Sequence, residues 1–576
     1  MLKNILFFLD IHQRLKAIKL IFLGLISSVM EVFNLAVLVL ILNYFLQDEN
    51  KNNENFLYKF LDLFNVGKEN FIIYVLLCFF VIVLLKILIL IYVSWSEAKF
   101  LAKFKESLSN RLFKIFLSRN AYQTLKKNSS EYLRNFTSEI DQTGIFFFCL
   151  LKLILDIILV TSLFIFLLFF DLYSSISTIG VLIILSTFYY SLVKKPIYRW
   201  GQKRIYSQKK KIQFVNESFS AIKYIKILSR ENFFFKKFKK QNFELAKITF
   251  KMGFLNTIPR FFLELFLFIS IILILIILFK SNYEYQDIIK IVSVYIAVSF
   301  RLIPSANRIL GNSQNIKFVY PGLLSIRSQL KTKPLIKNKI GKKINFNKLI
   351  NVKVKKFNYN PKSKFSLNNI NLIFRKKEKI GIIGPSGCGK STLIDIICGF
   401  IKTNNGDVLV DNNSIHNNLN SWQKLIGYIP QKIVIMNDSL KNNILFGLKE
   451  NKFSNKAIMN IIRKTNLIDL YKKLPRGLNE KISQEGLNIS GGEIQRIGIA
   501  RALINNPEII FLDESTSALD TFTENKILSE INSLNKTIIF VSHRINSLRY
   551  CDRIYYIKNG VIKDEGKFKK FNKQIH

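Results

Sequence analysis

The residues Gly384-Pro385-Ser386-Gly387-Cys388-Gly389-Lys390-Ser391, followed by Thr392, fit the pattern G-x-x-x-x-G-K-[ST]. Loops of this kind cradle phosphates. Their glycines let backbone N–H groups wrap the phosphate oxygens, and the positive end of the following helix adds to the attraction. The flanking residues agree: the apolar run Ile380–Ile383 reads as a strand, and Leu393–Cys398 continues as a helix. Lys390 is then expected at the β- and γ-phosphates and Ser391 at Mg2+. Cys388 lies inside the loop and reads as a filler, but alkylation of its thiol is expected to block nucleotide binding sterically.

A second apolar run, Ile509–Leu512, ends in Asp513 and Glu514. Four apolar residues closing on acids suit a central parallel strand buried on both faces. Open α/β sheets place their ligands at the carboxyl ends of such strands. Asp513 is expected to complete the Mg2+ shell, and Glu514 to polarise an attacking water as general base. Alone the pair is a weak sign, since strands often end in acids. Beside a phosphate loop it is strong.

Between these two stretches lies Asn488-Ile489-Ser490-Gly491-Gly492-Glu493-Ile494-Gln495-Arg496, running into an apolar helix. Ser490, Gly491 and Gly492 match the L-S-G-G-Q signature of the ATP-binding-cassette (ABC) transporters, which the chain resembles over essentially its whole length. The resemblance implies a homodimer with ATP and Mg2+ as ligands, in which the signature helix of one subunit caps the ATP on the other's phosphate loop. It implies an adenine-stacking role for Tyr359 and places Gln431, in Tyr428-Ile429-Pro430-Gln431, at the nucleotide and its Mg2+. It makes Ser517-Ala518-Leu519-Asp520 the D-loop, with Asp520 at the nucleotide. His543, just past the strand-like Thr537–Val541, takes a γ-phosphate role. Two segments depart from the family pattern. The signature has Ile489 for Leu and Glu493 for Gln, the latter adding negative charge near the expected dimer interface. The preceding loop has Ser483 and Gln484 where exporters carry V-G-E-x-G, which bears on coupling rather than on ATP binding.

These motifs occupy the second half of a 576-residue chain that is 49% hydrophobic and holds 52 Phe. The long apolar runs lie before about residue 305. At about 20 residues per crossing, the expected spans are Leu20–Phe45, Phe71–Trp95, Phe146–Phe170, Ile176–Val193, Phe261–Phe279 and Ile288–Ile303. The fold class is therefore a six-span helical transmembrane domain followed by an α/β phosphate-loop ATPase. Its expected limits are 1–327 for the membrane domain, 328–348 for a Lys/Asn-rich linker and 349–576 for the ATPase domain, read as a parallel sheet with crossover helices. The first apolar stretch has no small-residue cleavage site and reads as retained. Met1 to about His12 reads as an amphipathic helix on the membrane surface.

The net charge of +46 by itself suits nucleic acid, but its placement does not. Residues 194–255 hold 17 Lys/Arg against three acids, and 98–140 hold nine Lys/Arg, whereas 47–70 hold five acids and three Lys. Basic loops beside spans stay cytoplasmic and face anionic headgroups. Both basic loops and both termini are thus expected in the cytoplasm of a bacterial inner-membrane protein, with no nucleic-acid partner. The long basic segments carry helical periodicity and read as spans continued into the cytosol, with independent soluble loops as the alternative. The five cysteines (Cys78, Cys149, Cys388, Cys398, Cys551) show no paired spacing, which implies no disulfide framework.

Charges inside the spans bear on cargo. Glu31, Lys86, Lys152, Asp156, Glu264 and Arg301 lie in or near apolar stretches, where such residues face an interior or an aqueous cavity. Mutual salt bridges are one reading; a cation-lined cavity using Lys86 and Arg301 is the other. The segment Phe300–Arg308 resembles the corresponding stretch of bacterial lipid-linked oligosaccharide flippases. That resemblance implies a polyprenyl-pyrophosphate glycan as substrate, with another lipid, a hydrophobic drug or a peptide as the alternative.

Overall fold

The computed structural model describes residues 2–46, 68–119, 129–169, 172–280, 285–331, 343–359, 365–403, 405–483, 489–514 and 521–572. The chain divides near residue 333 into two compact units.

The first unit is helical. A short helix α1 (Leu2–Phe8) precedes α2 (Ile11–Leu46) and α3 (Lys68–Leu117). Next come α4 (Ser129–Arg134), a π turn (Asn135–Glu139) and α5 (Ile140–Leu168). The unit closes with α6 (Leu172–Ser220), the six-residue α7 (Ile222–Ile227), α8 (Glu231–Lys280) and α9 (Tyr285–Lys331). At 1.5 Å per residue, the 50-residue α3 and α8 are about 75 Å long, more than twice a hydrocarbon core. This continuation accounts for the described parts of the basic segments, which are helix rather than independent loops; residues 120–128 lie outside the described residues. Within the described residues, α2, α3, α6, α8 and the stretch from α4 through α5 are each long and apolar enough to cross a membrane. The sixth expected span lies in α9, which is 47 residues long and continues to Lys331, past the expected start of the linker. Residues 47–67 and 332–342, parts of the expected acidic loop and linker, lie outside the described residues.

This unit is apolar on its exterior as well as in its interior, unlike a water-soluble bundle. Phe104, Phe146, Phe147 and Leu112 are buried where α3 and α5 pack, while Phe22, Phe80, Ile184 and Phe268 point outward. An apolar exterior of this extent is a surface for lipid. The helix α1, within the expected amphipathic stretch, packs against protein at its carboxyl end. Phe8 and Leu9 are buried, Phe8 edge-on to Phe147 at 6.2 Å, because this end of the helix has a protein groove to fill.

Every described charge noted within the spans has an opposite partner. Glu31 on α2 takes both Lys86 of α3 and Arg301 of α9, the latter at 2.6 Å. Lys152 pairs with Glu97 at 2.6 Å, Asp156 with Arg308 at 2.8 Å, and Glu264 with Arg260 one turn away. Pairing lowers the cost of holding charge at low dielectric.

The second unit holds two main sheets. The strands are β1 (Leu349–Phe357), β2 (Leu367–Arg375), β3 (Lys379–Ile383), β4 (Asn405–Val410), β5 (Asn413–Ser414) and β6 (Ile426–Ile429). After them come β7 (Asp438–Ser439), β8 (Lys481–Ile482), β9 (Ile509–Asp513), β10 (Thr537–Ser542), β11 (Arg553–Lys558) and β12 (Val561–Gly566). The central sheet runs β12-β11-β3-β10-β9-β6, and all its pairings are parallel except β11–β12. Every residue of β9 and β10 is buried, as continuous apolar runs require. A separate antiparallel sheet, β2-β1-β4-β5, was not part of the expected all-parallel architecture. Its β2 alternates buried and exposed side chains, the pattern of a strand with only one covered face. The pair β7–β8 forms a small ribbon.

Candidate functional site

The phosphate-type loop leaves β3 and turns into a helix, α10 (Lys390–Ile397). Gly389 caps it with φ 107°, a conformation open to glycine, and a Cβ there would sit 2.7 Å from the Phe365 ring. Pro385, Ser386 and Gly387 are exposed along the loop, and Ser391 is exposed on the first helical turn. Lys390 is not: its ammonium is buried and donates to the carbonyls of Gly384 (2.8 Å) and Pro385 (3.1 Å). The loop therefore faces an open cavity of about 440 Å³ flanked by Tyr359, Gln431 and Glu514.

Register places the acids. β9 and β10 pair in parallel with Asp513 opposite Val541, so the residues just beyond both strands emerge side by side. The Glu514 N–H donates to the Val541 carbonyl at 3.0 Å, and Glu514 adopts φ 48°. That left-handed backbone is costly for a non-glycine residue and typical of functional positions. Three of the expected site residues surround its carboxylate. Gln431 Nε2 donates to Oε2 at 2.8 Å, His543 Nδ1 lies 3.5 Å from Oε1, and Lys390 Nζ lies 4.0 Å from Oε1. Residues far apart in sequence thus converge on one carboxylate.

Asp513 is buried, and burial first, then the neighbouring Glu514 charge, raises its carboxyl above the usual range. Asp395 on α10 is pushed up to about 6 by burial and then by Asp513. The Tyr428 hydroxyl, likewise raised by burial, donates to Asp513 Oδ2 at 3.4 Å. Such a concentration of carboxylates suits a divalent cation. Among the described residues no three His, Cys, Asp or Glu side chains form a metal cage. Mg2+ does not need one, since it keeps waters and takes substrate phosphate with one or two protein oxygens. The carboxylate of Asp513, the Ser391 hydroxyl and the Gln431 amide oxygen are hard donors of that kind.

Tyr359 sits at the cavity edge, its hydroxyl sharing a 2.7 Å hydrogen bond with Thr392 Oγ1 and its ring stacked on Phe365 at 6.1 Å. Phe365, Tyr428 and Asp395 were not among the expected site residues. Tyr428 stands inside the Tyr-Ile-Pro-Gln run and Asp395 on the loop's own helix, so both had a positional signal. Phe365 had none.

Ser490 is the N-cap of α11 (Gly491–Leu503), and Ser490, Gly491 and Gly492 are not among the residues lining the cavity of this chain. Glu493 caps its own helix. Its side chain is buried and turned back, accepting from Ser490 N–H at 2.8 Å and Ser490 Oγ at 3.0 Å, while Ser490 Oγ accepts from Glu493 N–H at 3.2 Å. This reciprocal capping box places the charge at the positive end of its own helix. Asp520 and the rest of 517–520, together with Gln484, lie outside the described residues.

Cys388 differs from expectation. Its thiol is buried in the apolar core beneath the loop, among Leu393, Ile382 and Ile557. Alkylation is therefore expected to be slow in the folded state. Iodoacetamide should inactivate wild type and Cys388→Ala at the same low rate; faster loss in the wild type would show the thiol to be reachable from the nucleotide side.

The chain matches two family profiles, that of the ABC transporter transmembrane region over residues 17–301 and that of the ABC transporter over 367–517. An export ATP-binding/permease protein of Rickettsia bellii is 30% identical over 504 residues, covering 84% of this chain and 85% of that one. A corresponding protein of Rickettsia typhi is 41% identical over 214 residues, where the match spans 37% of the relative's length. The leukotoxin translocation ATP-binding protein LktB of Mannheimia glucosida is 37% identical over 215 residues, 30% of its length. In fold, the chain superimposes on a bacterial Atm1-family ABC exporter with ATP bound, with TM-score 0.81, 19% identity and coverage of 98% and 96%. With its helical membrane unit joined to one cassette ATPase, this chain belongs to the ABC transporters as an exporter-type half-transporter, in which ATP hydrolysis drives transport.

Proposed function

We propose that two copies of this chain form an exporter in a bacterial inner membrane, with the ATPase domains and all termini cytoplasmic. The observation carrying this reading is the convergence of Gln431, His543 and Lys390 on Glu514 beside the phosphate loop. The loop of one copy holds ATP, and Ser490, Gly491 and Gly492 of the second copy cap it. Their position away from the cavity of their own chain supports this arrangement. Lys390 moves from its two carbonyls to the phosphates, Tyr359 stacks on adenine, and Glu514 takes a proton from the attacking water while His543 holds the γ-phosphate. Mg2+, when bound through Ser391, Gln431 and Asp513, neutralises charge on the phosphate oxygens.

The cargo in this reading is a lipid-linked anionic glycan moved from the inner to the outer leaflet. Its support is the charge imbalance around Glu31, where two cations, Lys86 and Arg301, face one acid. The Arg301 side chain remains 57% exposed despite that pairing, which leaves donors for a pyrophosphate. In proteoliposomes, Arg301→Ala is expected to slow ATP-dependent translocation of a polyprenyl-pyrophosphate oligosaccharide by roughly tenfold, the value of one charged hydrogen-bonding partner. Equal rates in the two proteins would remove Arg301 from the transport path and favour another lipid, a drug or a peptide as cargo.

A further inference from the structure

The amino-terminal corner of the membrane unit carries cations that the cycle above does not use. Between α1 and α2 the chain turns at Leu9 and Asp10. The turn is rigidly held. Asp10 N–H donates to Gln13 Oε1 at 3.1 Å, Arg14 Nε to the Leu9 carbonyl at 3.1 Å, and a terminal Arg14 nitrogen to the Leu6 carbonyl at 2.6 Å. From α3, Arg111 donates to the Phe7 carbonyl at 3.5 Å and lies 5.3 Å from the Phe7 ring centre. From α9, Arg327 lies 5.7 Å from the same ring. These guanidiniums are thus positioned by carbonyls and an aromatic ring.

A guanidinium has five N–H donors, and these contacts occupy only some of them on Arg14 and Arg111. Both residues line a cavity of about 580 Å³ together with Leu6, Phe7, Asp10 and His12. Asp10 is the one acid in that wall, so the cavity is cationic on balance. Its depth follows from the sequence: Arg14, Lys16 and Lys19 directly precede the apolar stretch that begins at Leu20. That position is the headgroup level of the cytoplasmic leaflet, given the orientation proposed above.

A second feature rises from the same corner. Ile11, Leu15, Ile18, Phe22, Leu25 and Val29 recur every three or four residues, which puts them on one face of α2. All six are exposed, between 46% and 72%. The foot of this apolar stripe is the cationic cavity. A ligand matching both must carry a phosphate at one end and long hydrocarbon at the other.

We propose that this corner is a binding site for an anionic phospholipid of the cytoplasmic leaflet, its phosphate against Arg14 and Arg111 and its acyl chains along the α2 stripe. Arg327 and Phe7 position Arg111, and Arg14 holds the turn while presenting its free donors to the headgroup. The site shares no residue with the Glu31 cluster or with the cavity at the phosphate-type loop.

Native mass spectrometry of the full-length protein in detergent tests this, with added phosphatidylglycerol or phosphatidylcholine of identical chains. The wild type is expected to retain phosphatidylglycerol preferentially. The Arg14→Gln/Arg111→Gln double variant should lose about thirty-fold in that retention, the effect of two interfacial cations, while Arg14→Lys/Arg111→Lys keeps most of it. Unchanged retention by the double Gln variant would overturn the proposal. So would displacement of the lipid by millimolar inorganic phosphate, which would mark a free-phosphate site. Arg14→Gln alone, at an exposed side chain, guards against misfolding and should show a partial loss; none would also count against the site. Binding in micelles does not depend on which way the chain is inserted. A negative result therefore sinks the site and leaves the orientation standing, and maleimide labelling of a Lys3→Cys variant in sealed vesicles tests that orientation separately.

Discussion

Replacing Glu514 by Gln should lower phosphate release from the purified protein by at least about a hundredfold, the low end for loss of a general base, and leave ATP binding in place. The substitution keeps size and shape, so the amide still fills the pocket between Gln431, His543 and Lys390. It removes the capacity to accept a proton. Glu514 is also the residue held at φ 48° by its bond to Val541, and glutamine leaves that backbone constraint unchanged. Nucleotide affinity should therefore report an intact site while turnover collapses. A phosphate-release assay run beside binding of a fluorescent ATP analogue separates the two. Undiminished release with normal affinity would remove Glu514 from the chemistry and with it the proposed role of its three partners.

The largest effect on stability is expected at Glu139, in the π turn between α4 and α5. Its side chain is fully buried, accepts from Arg204 of α6 at 2.9 Å, and has Arg134 Nε at 3.9 Å. Arg134 in turn donates to Asn135 at 2.7 Å and to Ser325 of α9 at 2.9 Å. Three separate stretches of helix are thus joined through one carboxylate. Glu139→Leu leaves the largely buried Arg134 and Arg204 guanidiniums without their carboxylate, a change that costs about 3–5 kcal/mol and should lower the melting temperature by roughly ten degrees.

Gly322 on α9 offers an independent route to the same contact. A Cβ there would lie 2.1 Å from Glu139 Oε2, so Gly322→Ala must displace the carboxylate without changing any charge. Its destabilisation should approach that of Glu139→Leu, and the double variant should lose less than the sum, since both break one network. Thermal melts followed by size-exclusion fluorescence measure all three. Wild-type melting of Glu139→Leu would show that the ion cluster contributes nothing to holding these helices together.

The features legible beforehand were those carried by neighbouring residues. A run of about 20 apolar side chains is a crossing whatever it packs against, so within the described residues each expected span falls on one of the long helices to within a residue. The glycine-lysine loop needs only its flanking strand and helix, and both stand where Ile380–Ile383 and Leu393–Cys398 place them. The two acids closing Ile509–Leu512 followed from a strand buried on both faces. The antiparallel sheet was less legible because β1, β2 and β4 are brought together only by pairings across turns and a helix.

By itself, then, the sequence determined the kind of machine: where the greasy helices run, where the phosphate-type loop stands, and which acids end the buried strand. Tertiary structure alone decided which groups meet. Gln431 reaches Glu514 across 83 residues because β6 and β9 are parallel neighbours. Glu31 gathers Lys86 and Arg301 because three helices present those faces to one another. Glu493 faces inward because a serine N-cap offers it two donors. The physical reason is common to all three. A local pattern fixes the period of a strand or helix and the face it buries, whereas the partner met on that face depends on register and rotation against elements distant in the chain.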